Sequence, residues 1–360
     1  MMLENSIFKV IVEDGSGTGF MIDGYEYIIT NYHVVSHFRE VILEDNNKNR
    51  YLATVVMVNS VVDIAFLVCD ELKNRKSAIK LQDGLEIVNR QKVNIAGYPF
   101  GMPYVITEGI ISSTKQVMEN RYYIQTDAAI NSGNSGGPMV DADNNLVAVV
   151  NAKFSDADNV GFGIPYGDLQ KELNDFKFDD KVYRVKCNSC DNYLVNRVKF
   201  CDNCGKAIDE TLFDNYESKD ETKIMEIIDK SIADYGLNPK LCRVGKDYWE
   251  FYPKSNVIRF FTSGDYGFYA NSPLCNVPKS NIKEALELIN SDKFKPFNIG
   301  IYARNNTICL YYRVFQNDFH NDKIVDEVQK NFTKFIGKSV ELSEFFINEY
   351  GCEVAVESRS

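Results

Sequence analysis

Three segments of the chain carry side chains that together could hydrolyse an acyl bond. Ser135 stands in TDAAINSGNSGGPMV, with glycines on both sides of it. Such neighbours have no Cβ, so a serine hydroxyl can approach a carbonyl while backbone amides face the developing oxyanion. Upstream, His33 in TNYHVVS and Asp63 in VVDIAFLV supply a general base and a carboxylate to orient it. These three residues are the candidate catalytic residues.

Residues 1 to about 170 resemble a trypsin-like serine protease of the HtrA (high-temperature-requirement) branch. GTGFMIDGYEYIITNYHVVS resembles that branch's strand, turn, strand and His-bearing half-turn, and GYPFGMPYVITEGIISS resembles its aromatic-Pro-Phe-Gly loop and following strand. The resemblance implies an endopeptidase that works through an acyl-enzyme. Past Pro165 the sequence has no PDZ-like segment, so recognition of peptide ends is not carried over.

The order His33, Asp63, Ser135 is that of a chymotrypsin-like triad. Asp63 opens an apolar strand, where an unpaired carboxylate would be costly to bury, so we expect it to accept a hydrogen bond from the His33 ring. The candidate oxyanion hole is Gly133, Asn134 and Ser135, with the amides of Gly133 and Ser135 as donors. Asn134 stands where digestive-type relatives have Asp, so the resemblance implies no zymogen cleavage.

The specificity pocket follows only from the resemblance. By position, Ile130 lies at its base, and Ala152 and Lys153 lie on the wall strand. A branched aliphatic base favours Ala-, Val- or Leu-sized residues before the scissile bond. An inward-pointing Lys153 would instead admit acidic side chains, although a strand lysine more often extends to water.

Four cysteines have the spacing of a zinc ribbon. Two residues separate each pair and ten lie between the pairs, Cys187 and Cys190 with Cys201 and Cys204. Four thiolates around one tetrahedral ion form a closed, structural site. We therefore expect one structural Zn²⁺ per chain and no cofactor for catalysis. A rigid spacer or protein-docking element is the favoured role. Nucleic-acid binding is the alternative, because residues 181–206 contain six basic residues and only two acidic ones.

Composition bounds the remaining possibilities. Acidic residues outnumber basic ones by 51 to 40, a net charge of −11, which argues against a general phosphate-binding protein. DGSGTGF lacks a lysine and precedes a strand, so it predicts a barrel turn, not a phosphate loop.

The N-terminal residues show no secretory signal, which predicts a cytoplasmic protein. In a reducing compartment the other cysteines are expected to be buried free thiols: Cys69, Cys242, Cys275, Cys309 and Cys352.

The pattern along the chain predicts a multidomain protein. Short strands without helical period up to Asn151, then a helix over 165–175, indicate an all-β, chymotrypsin-like double barrel at 1–176. The ribbon occupies 181–208, and an acid-rich linker covers 209–220. From 221 to 360, helices alternate with strands, including helices at 282–289 and 322–336, so this region is an α+β domain. It is similar in element order to YbjN and type III secretion chaperone-like modules, which bind other proteins.

Two functions from different classes fit these features. The first is a cytoplasmic serine endopeptidase whose C-terminal domain binds a partner or regulates access of protein substrates. The second is a catalytically silent protease fold that binds partner proteins through its ribbon and C-terminal domain. The intact His33, Asp63, Ser135 and Gly133 favour the first. Neither function calls for a membrane, and nucleic acid is the less favoured partner.

Overall fold

A computed structural model gives the fold of the protein. It describes residues 2–118, 120–151, 160–178, 180–215, 223–254, 256–263, 267–315 and 322–355. The chain divides into two compact units, Met1–Glu217 and Ser218–Ser360. Over the described ranges, no helix combines the length and the apolar character that crossing a membrane requires.

The first six strands form a closed barrel. Their order is β5-β4-β1-β2-β3-β6, and pairing of β5 with β6 closes it. Most residues of β1, β3, β4 and β6 are buried apolar residues, because these strands pack into the core of the barrel. The strands are β1 (Ile7–Val12), β2 (Gly15–Met21), β3 (Ile28–Thr30), β4 (Glu40–Glu44), β5 (Arg50–Asn59) and β6 (Ile64–Val68).

A second closed barrel follows in the order β10-β11-β12-β9-β8-β7. Its strands are β7 (Lys92–Gly97), β8 (Val105–Met118), β9 (Arg121–Thr126), β10 (Pro138–Val140), β11 (Leu146–Asn151) and β12 (Gly161–Pro165). Phe66 of the first barrel and Val149 of the second belong to one apolar core, together with Leu169 of helix α2 (Tyr166–Asp175). The double barrel predicted from the sequence is confirmed, and helix α2 follows it.

The four-cysteine segment is part of the first unit. Strand β13 (Arg184–Lys186) pairs in parallel with β5. On its other edge it pairs antiparallel with the short strand β14 (Tyr193–Leu194). Within the predicted linker over 209–220, Glu210–Phe213 forms a 3-10 helix in which Leu212 is buried. The apolar Leu212 and Phe213 pack on the first barrel, which the acidic composition of the segment had obscured.

The second unit packs helices on a six-stranded sheet ordered β15-β16-β17-β18-β20-β19. Its α+β class agrees with the prediction, but the last helix extends past residue 336, to Tyr350. Apolar residues Val340, Leu342 and Phe346 continue the buried stripe beyond Gly337, so the glycine does not end the helix. The elements are α3 (Lys223–Asp234), α4 (Pro239–Cys242), β15 (Arg243–Gly245), β16 (Tyr248–Phe251), β17 (Ile258–Ser263), β18 (Gly267–Asn276), α5 (Ile282–Ile289), β19 (Asn298–Tyr302), β20 (Thr307–Phe315) and α6 (Asp322–Tyr350).

Candidate active site

His33 lies on a single helical turn that follows a strand of the first barrel. Strand β3 ends at Thr30, and helix α1 (Tyr32–Val35) begins two residues later. The His33 side chain is 35% exposed, and its Nδ1 lies 2.7 Å from Asp63 Oδ2. A carboxylate at Nδ1 favours the tautomer that carries its proton there, which leaves Nε2 as the basic nitrogen.

Asp63 is held by donors from both barrels. It ends the turn between β5 and β6 in the left-handed region, with φ of 61°. Its Oδ1 accepts a hydrogen bond from the His33 amide at 2.9 Å, and its Oδ2 accepts one from Asn151 Nδ2 at 3.1 Å. The Asn31 side chain donates to the Asp63 carbonyl oxygen at 2.9 Å. The carboxylate is therefore fixed in position and in rotation relative to the His33 ring.

The serine loop lies against the residues that lead into α1. The amide of Thr18 donates to the Ser135 carbonyl at 2.8 Å. Gly136 has φ of +81°, and a Cβ there would lie 2.3 Å from Thr30 Oγ1 and 2.8 Å from the Asn31 amide nitrogen. Only glycine permits this approach. Because Thr30 and Asn31 directly precede α1, the contact brings Ser135 beside the helical turn that carries His33.

The peptide before Gly133 is also fixed. Phe100 donates its amide to the Ser132 carbonyl at 2.6 Å. A trans peptide points its carbonyl and its N–H in opposite directions, so this bond turns the Gly133 N–H away from Phe100. Thr18 Oγ1 donates to the Gly133 carbonyl at 2.7 Å and holds the next peptide.

One of the three predicted oxyanion-hole residues has its amide engaged within the loop. The Asn134 amide donates to the Asn131 carbonyl at 3.0 Å, so it closes a turn and is not directed at a substrate. Asn134 thus shapes the loop, and the predicted donors are the amides of Gly133 and Ser135.

We expect Gly133→Ala to slow acylation of Ser135 about 100- to 1,000-fold, the usual cost of losing one oxyanion donor. Gly133 has φ of +97°, and a Cβ there would lie 2.4 Å from the Tyr98 carbonyl oxygen, so the peptide has to move. The rate of labelling by a fluorophosphonate measures the effect. Gly24→Ala is the matched control, because Gly24 has φ of +84° with nothing within 4 Å of the added Cβ. Equal labelling rates for the two variants would contradict the assignment.

The predicted specificity residues are only partly described. Ile130 is half-buried, and its Cδ1 would lie 2.5 Å from a Cβ at Gly161, so the side chain packs against the start of β12. Ala152 and Lys153 lie outside the described residues. The structure thus places Ile130 on the second barrel beside β12, and the wall of the pocket stays a prediction.

Comparison with known proteins shows what the first unit is similar to. Residues 17–149 match the family described as the trypsin-like peptidase domain, and this span includes His33, Asp63 and Ser135. The chain is 35% identical over 164 residues to protease Do-like 1, chloroplastic, of Arabidopsis thaliana, covering 43% of this chain and 37% of that protein. It is 30% identical over 239 residues to a probable periplasmic serine endoprotease, DegP-like, of Marinomonas sp. (strain MWYL1), covering 62% of this chain and 50% of that protein. This segment is therefore similar to the trypsin-like serine protease domains of the HtrA branch.

A solved structure, "HtrA-type protease AlgW with tripeptide", overlaps 48% of this chain and 60% of its own chain at 28% identity, with a TM-score of 0.43. The chain spans half or less of the two curated relatives.

Two residues of the double barrel, Thr18 and Asn151, position the candidate site, and sequence reasoning missed both. Thr18 lies in the segment predicted to be a turn, but that segment is strand β2, and Thr18 bonds to the loop at both Gly133 and Ser135. Asn151, the last residue of β11, donates to Asp63 across the two barrels. Threonine and asparagine in strands carry no local signal of such a role, and only the resemblance could have suggested that residues of β2 and β11 reach the site.

The four predicted metal ligands of the ribbon come together. The Sγ atoms of Cys187, Cys190, Cys201 and Cys204 all lie within 4.8 Å of one another, with Cys187 and Cys204 at 3.8 Å and Cys190 and Cys201 at 3.7 Å. A tetrahedral zinc ion with Zn–S of about 2.3 Å requires sulfurs about 3.8 Å apart. The arrangement therefore fits one four-coordinate ion.

Two equivalent turns present these sulfurs. The Cys187 carbonyl oxygen accepts from the Asp191 amide at 3.0 Å, and the Cys201 carbonyl oxygen accepts from the Gly205 amide at 2.8 Å. Burial raises the pKa of the Cys187 thiol to about 11, whereas a hydrogen bond with the Asn203 side chain lowers the pKa of Cys190 to about 7. A bound cation would favour the thiolate at all four positions.

Proposed function

We propose that this chain is a serine endopeptidase with His33, Asp63 and Ser135 as its catalytic triad. The observation that carries the proposal is the 2.7 Å contact between His33 Nδ1 and Asp63 Oδ2, next to a serine loop that glycines hold against the same helical turn. The match to the trypsin-like peptidase domain over these residues supports it.

In the proposed reaction, Ser135 Oγ attacks the scissile carbonyl while His33 Nε2 accepts the hydroxyl proton. Asp63 stabilises the resulting imidazolium and keeps the ring oriented. The amides of Gly133 and Ser135 bind the oxyanion of the tetrahedral intermediate. His33 then returns the proton to the leaving amine, and a water molecule, activated by His33, hydrolyses the acyl-enzyme.

An apolar surface beside the serine loop supports a preference for apolar peptides. Phe100, Met102 and Ile106 are 65%, 48% and 48% exposed, and the Phe100 amide is bonded to Ser132. Exposed apolar side chains that lie close together along the chain, as these three do, are candidates for a binding surface. Together with Ile130 in the proposed pocket, they favour small or medium aliphatic residues before the scissile bond.

Incubation of the full chain with a fluorophosphonate and, separately, with casein tests the proposal. Covalent labelling of Ser135 and digestion of casein are the expected results. A folded, unlabelled chain that leaves casein intact would instead support the silent scaffold.

We further propose that the cysteine cluster binds one structural zinc ion, and that the protein works in the reducing cytoplasm. The sulfur geometry supports the first point. All nine cysteines are free in the structure, which supports the second because a reducing compartment keeps thiols in this state. The two relatives differ here, since their names place one in the chloroplast and another in the periplasm.

The C-terminal unit is proposed to regulate substrate supply, by docking a partner protein or by covering the cleft. Its independent core supports a separable role, since Trp249, Phe260 and Phe332 are fully buried within it. We expect a chain ending at Glu217 to cleave an unstructured protein at a rate that differs from the full chain by about tenfold, within the usual range of coupling between sites. Time courses on casein measure this difference. Identical rates and fragments from two soluble proteins would contradict the regulatory role.

A further inference from the structure

A lysine without any exposed side-chain surface lies between the ribbon and the protease barrels. The Lys186 side chain is 0% exposed, and Lys186 directly precedes Cys187. Its Nζ lies 3.0 Å from Glu172 Oε2, 3.0 Å from Asp175 Oδ2 and 3.7 Å from Asp191 Oδ1. Burying an ammonium group is costly unless carboxylates compensate it, so this lysine is placed only when both the ribbon turn and helix α2 are in position.

Glu172 extends this contact toward the first barrel. The residue is 2% exposed, so its carboxylate depends on partners within the protein. One oxygen accepts from Lys186, and the other accepts from Asn59 Nδ2 at 3.1 Å. The pairing fixes the orientation of the Asn59 amide, because the Nδ2 group must face Glu172 and the Oδ1 atom must face the opposite way.

Asn59 in turn holds the turn that ends at Asp63. Its Oδ1 accepts from the amides of Val61 at 3.1 Å and Val62 at 3.0 Å. These are the two residues directly before Asp63, whose left-handed conformation needs support from its surroundings. Side-chain oxygen contacts to following amides are a common way of closing such a turn.

Strand pairing anchors the same region a second time. Strand β13 pairs with β5 through Arg184 with Met57 and Val185 with Val58, which directly precede Asn59. Strand β4 pairs with β5 only up to Thr54, so β13 occupies the edge of β5 nearest the turn. The ribbon is therefore linked to the Asp63 turn by two indirect routes, the main-chain pairing of β13 with β5 and the side-chain bonds from Lys186 through Glu172 to Asn59.

We infer that Lys186, Glu172 and Asn59 are positioning residues for Asp63, and that the ribbon through them is an integral part of the protease active site. The inference rests on the proposed role of Asp63 in the triad. It gives the cysteine cluster a task that neither a spacer nor a docking element would have. A displacement of Asp63 by about 1 Å weakens its bond to His33 and slows acylation without touching the substrate.

The test compares acylation rates of full-length variants. In Lys186→Met the carboxylate of Glu172 loses its cation, and we expect fluorophosphonate labelling and kcat to fall about 10- to 100-fold, with KM unchanged. Glu172→Gln in the same chain removes the uncompensated charge and keeps an oxygen for Asn59, so the double variant is expected to recover to within about threefold of the wild-type rate. The downfield proton resonance of the His33 ring N–H, which reports its bond to Asp63, is expected to broaden in the single variant and return in the double one.

Lys171→Met is the matched control, since Lys171 pairs with Asp191 at 3.1 Å but is 61% exposed. A Lys186→Met protein that labels as fast as this control overturns the inference, and so does a double variant that stays as slow as the single one. If Lys186→Met does not fold, Asn59→Ala removes only the last link, and labelling at the control rate then overturns the inference. Wild-type protein that does not label at all would instead refute the proposed function.

Discussion

Replacing Ser135 with Ala is expected to abolish fluorophosphonate labelling and to reduce proteolysis by about a millionfold, leaving only the residual rate that the oxyanion hole and substrate binding supply. The serine hydroxyl is the only protein group in the proposed mechanism that forms a covalent bond to the substrate. The side chain is small and lies in a loop held by main-chain bonds to Thr18 and Val150, so its loss leaves the loop intact. Labelling followed by mass spectrometry, with casein cleavage measured in parallel, gives both quantities.

A second variant distinguishes the triad from a lone nucleophile. His33→Ala is expected to lose a similar factor, because members of a triad act as a unit and their effects do not add. Ser132→Ala, three residues upstream in the same loop, is the matched control and must retain labelling, since only its main-chain carbonyl is assigned a role. Persistent labelling of Ser135→Ala would show that the reactive nucleophile is another residue.

The sequence predicts the double-barrel fold well, because that fold depends on local patterns, and the assignment of His33, Asp63 and Ser135 as a triad stays a prediction. The hydrophobic periodicity of short strands can be read from the sequence alone. The glycines around Ser135 are needed because the loop backbone has positive φ and approaches its neighbours closely. The four cysteines were equally predictable, since metal-ligand spacing is fixed by the turn that presents each pair.

Positioning residues could not be predicted in the same way. Asn151 of the second barrel donates a hydrogen bond to Asp63 of the first. Lys186 of strand β13 binds Glu172 of helix α2, 14 residues earlier in the chain. A strand lysine next to a metal ligand would ordinarily extend to water, and it is buried here only because two carboxylates and a parallel strand meet at that point. The sequence pattern predicts the last helix only over 322–336, whereas the buried apolar stripe of α6 continues to Phe346.

The second large effect concerns the cysteine cluster. We expect the full chain to contain about one zinc ion, and the double variant Cys187→Ser with Cys190→Ser to contain none. A structural site of this kind stabilises the folded ribbon by roughly 10 kcal/mol or more, whereas the ribbon's own apolar cluster is only a few residues. Without the ion, residues 181–208 should therefore unfold locally, which elemental analysis and hydrogen exchange over this segment would detect.

The barrels should survive this change but lose catalytic power. Their cores contain Phe66, Val149 and other residues that do not depend on the ribbon, so a cooperative β-barrel melt is expected to remain. Lys186 and strand β13, however, lose their place when the ribbon unfolds, so acylation of Ser135 should slow at least as much as in Lys186→Met. Cys69→Ser is the control, because Cys69 is a buried thiol of the same unit outside the cluster and its variant must keep the zinc. A metal-free wild-type chain whose ribbon resists hydrogen exchange would show that the cysteine spacing is accidental. A metal-free variant that acylates at the wild-type rate would show that the ribbon does not position the active site.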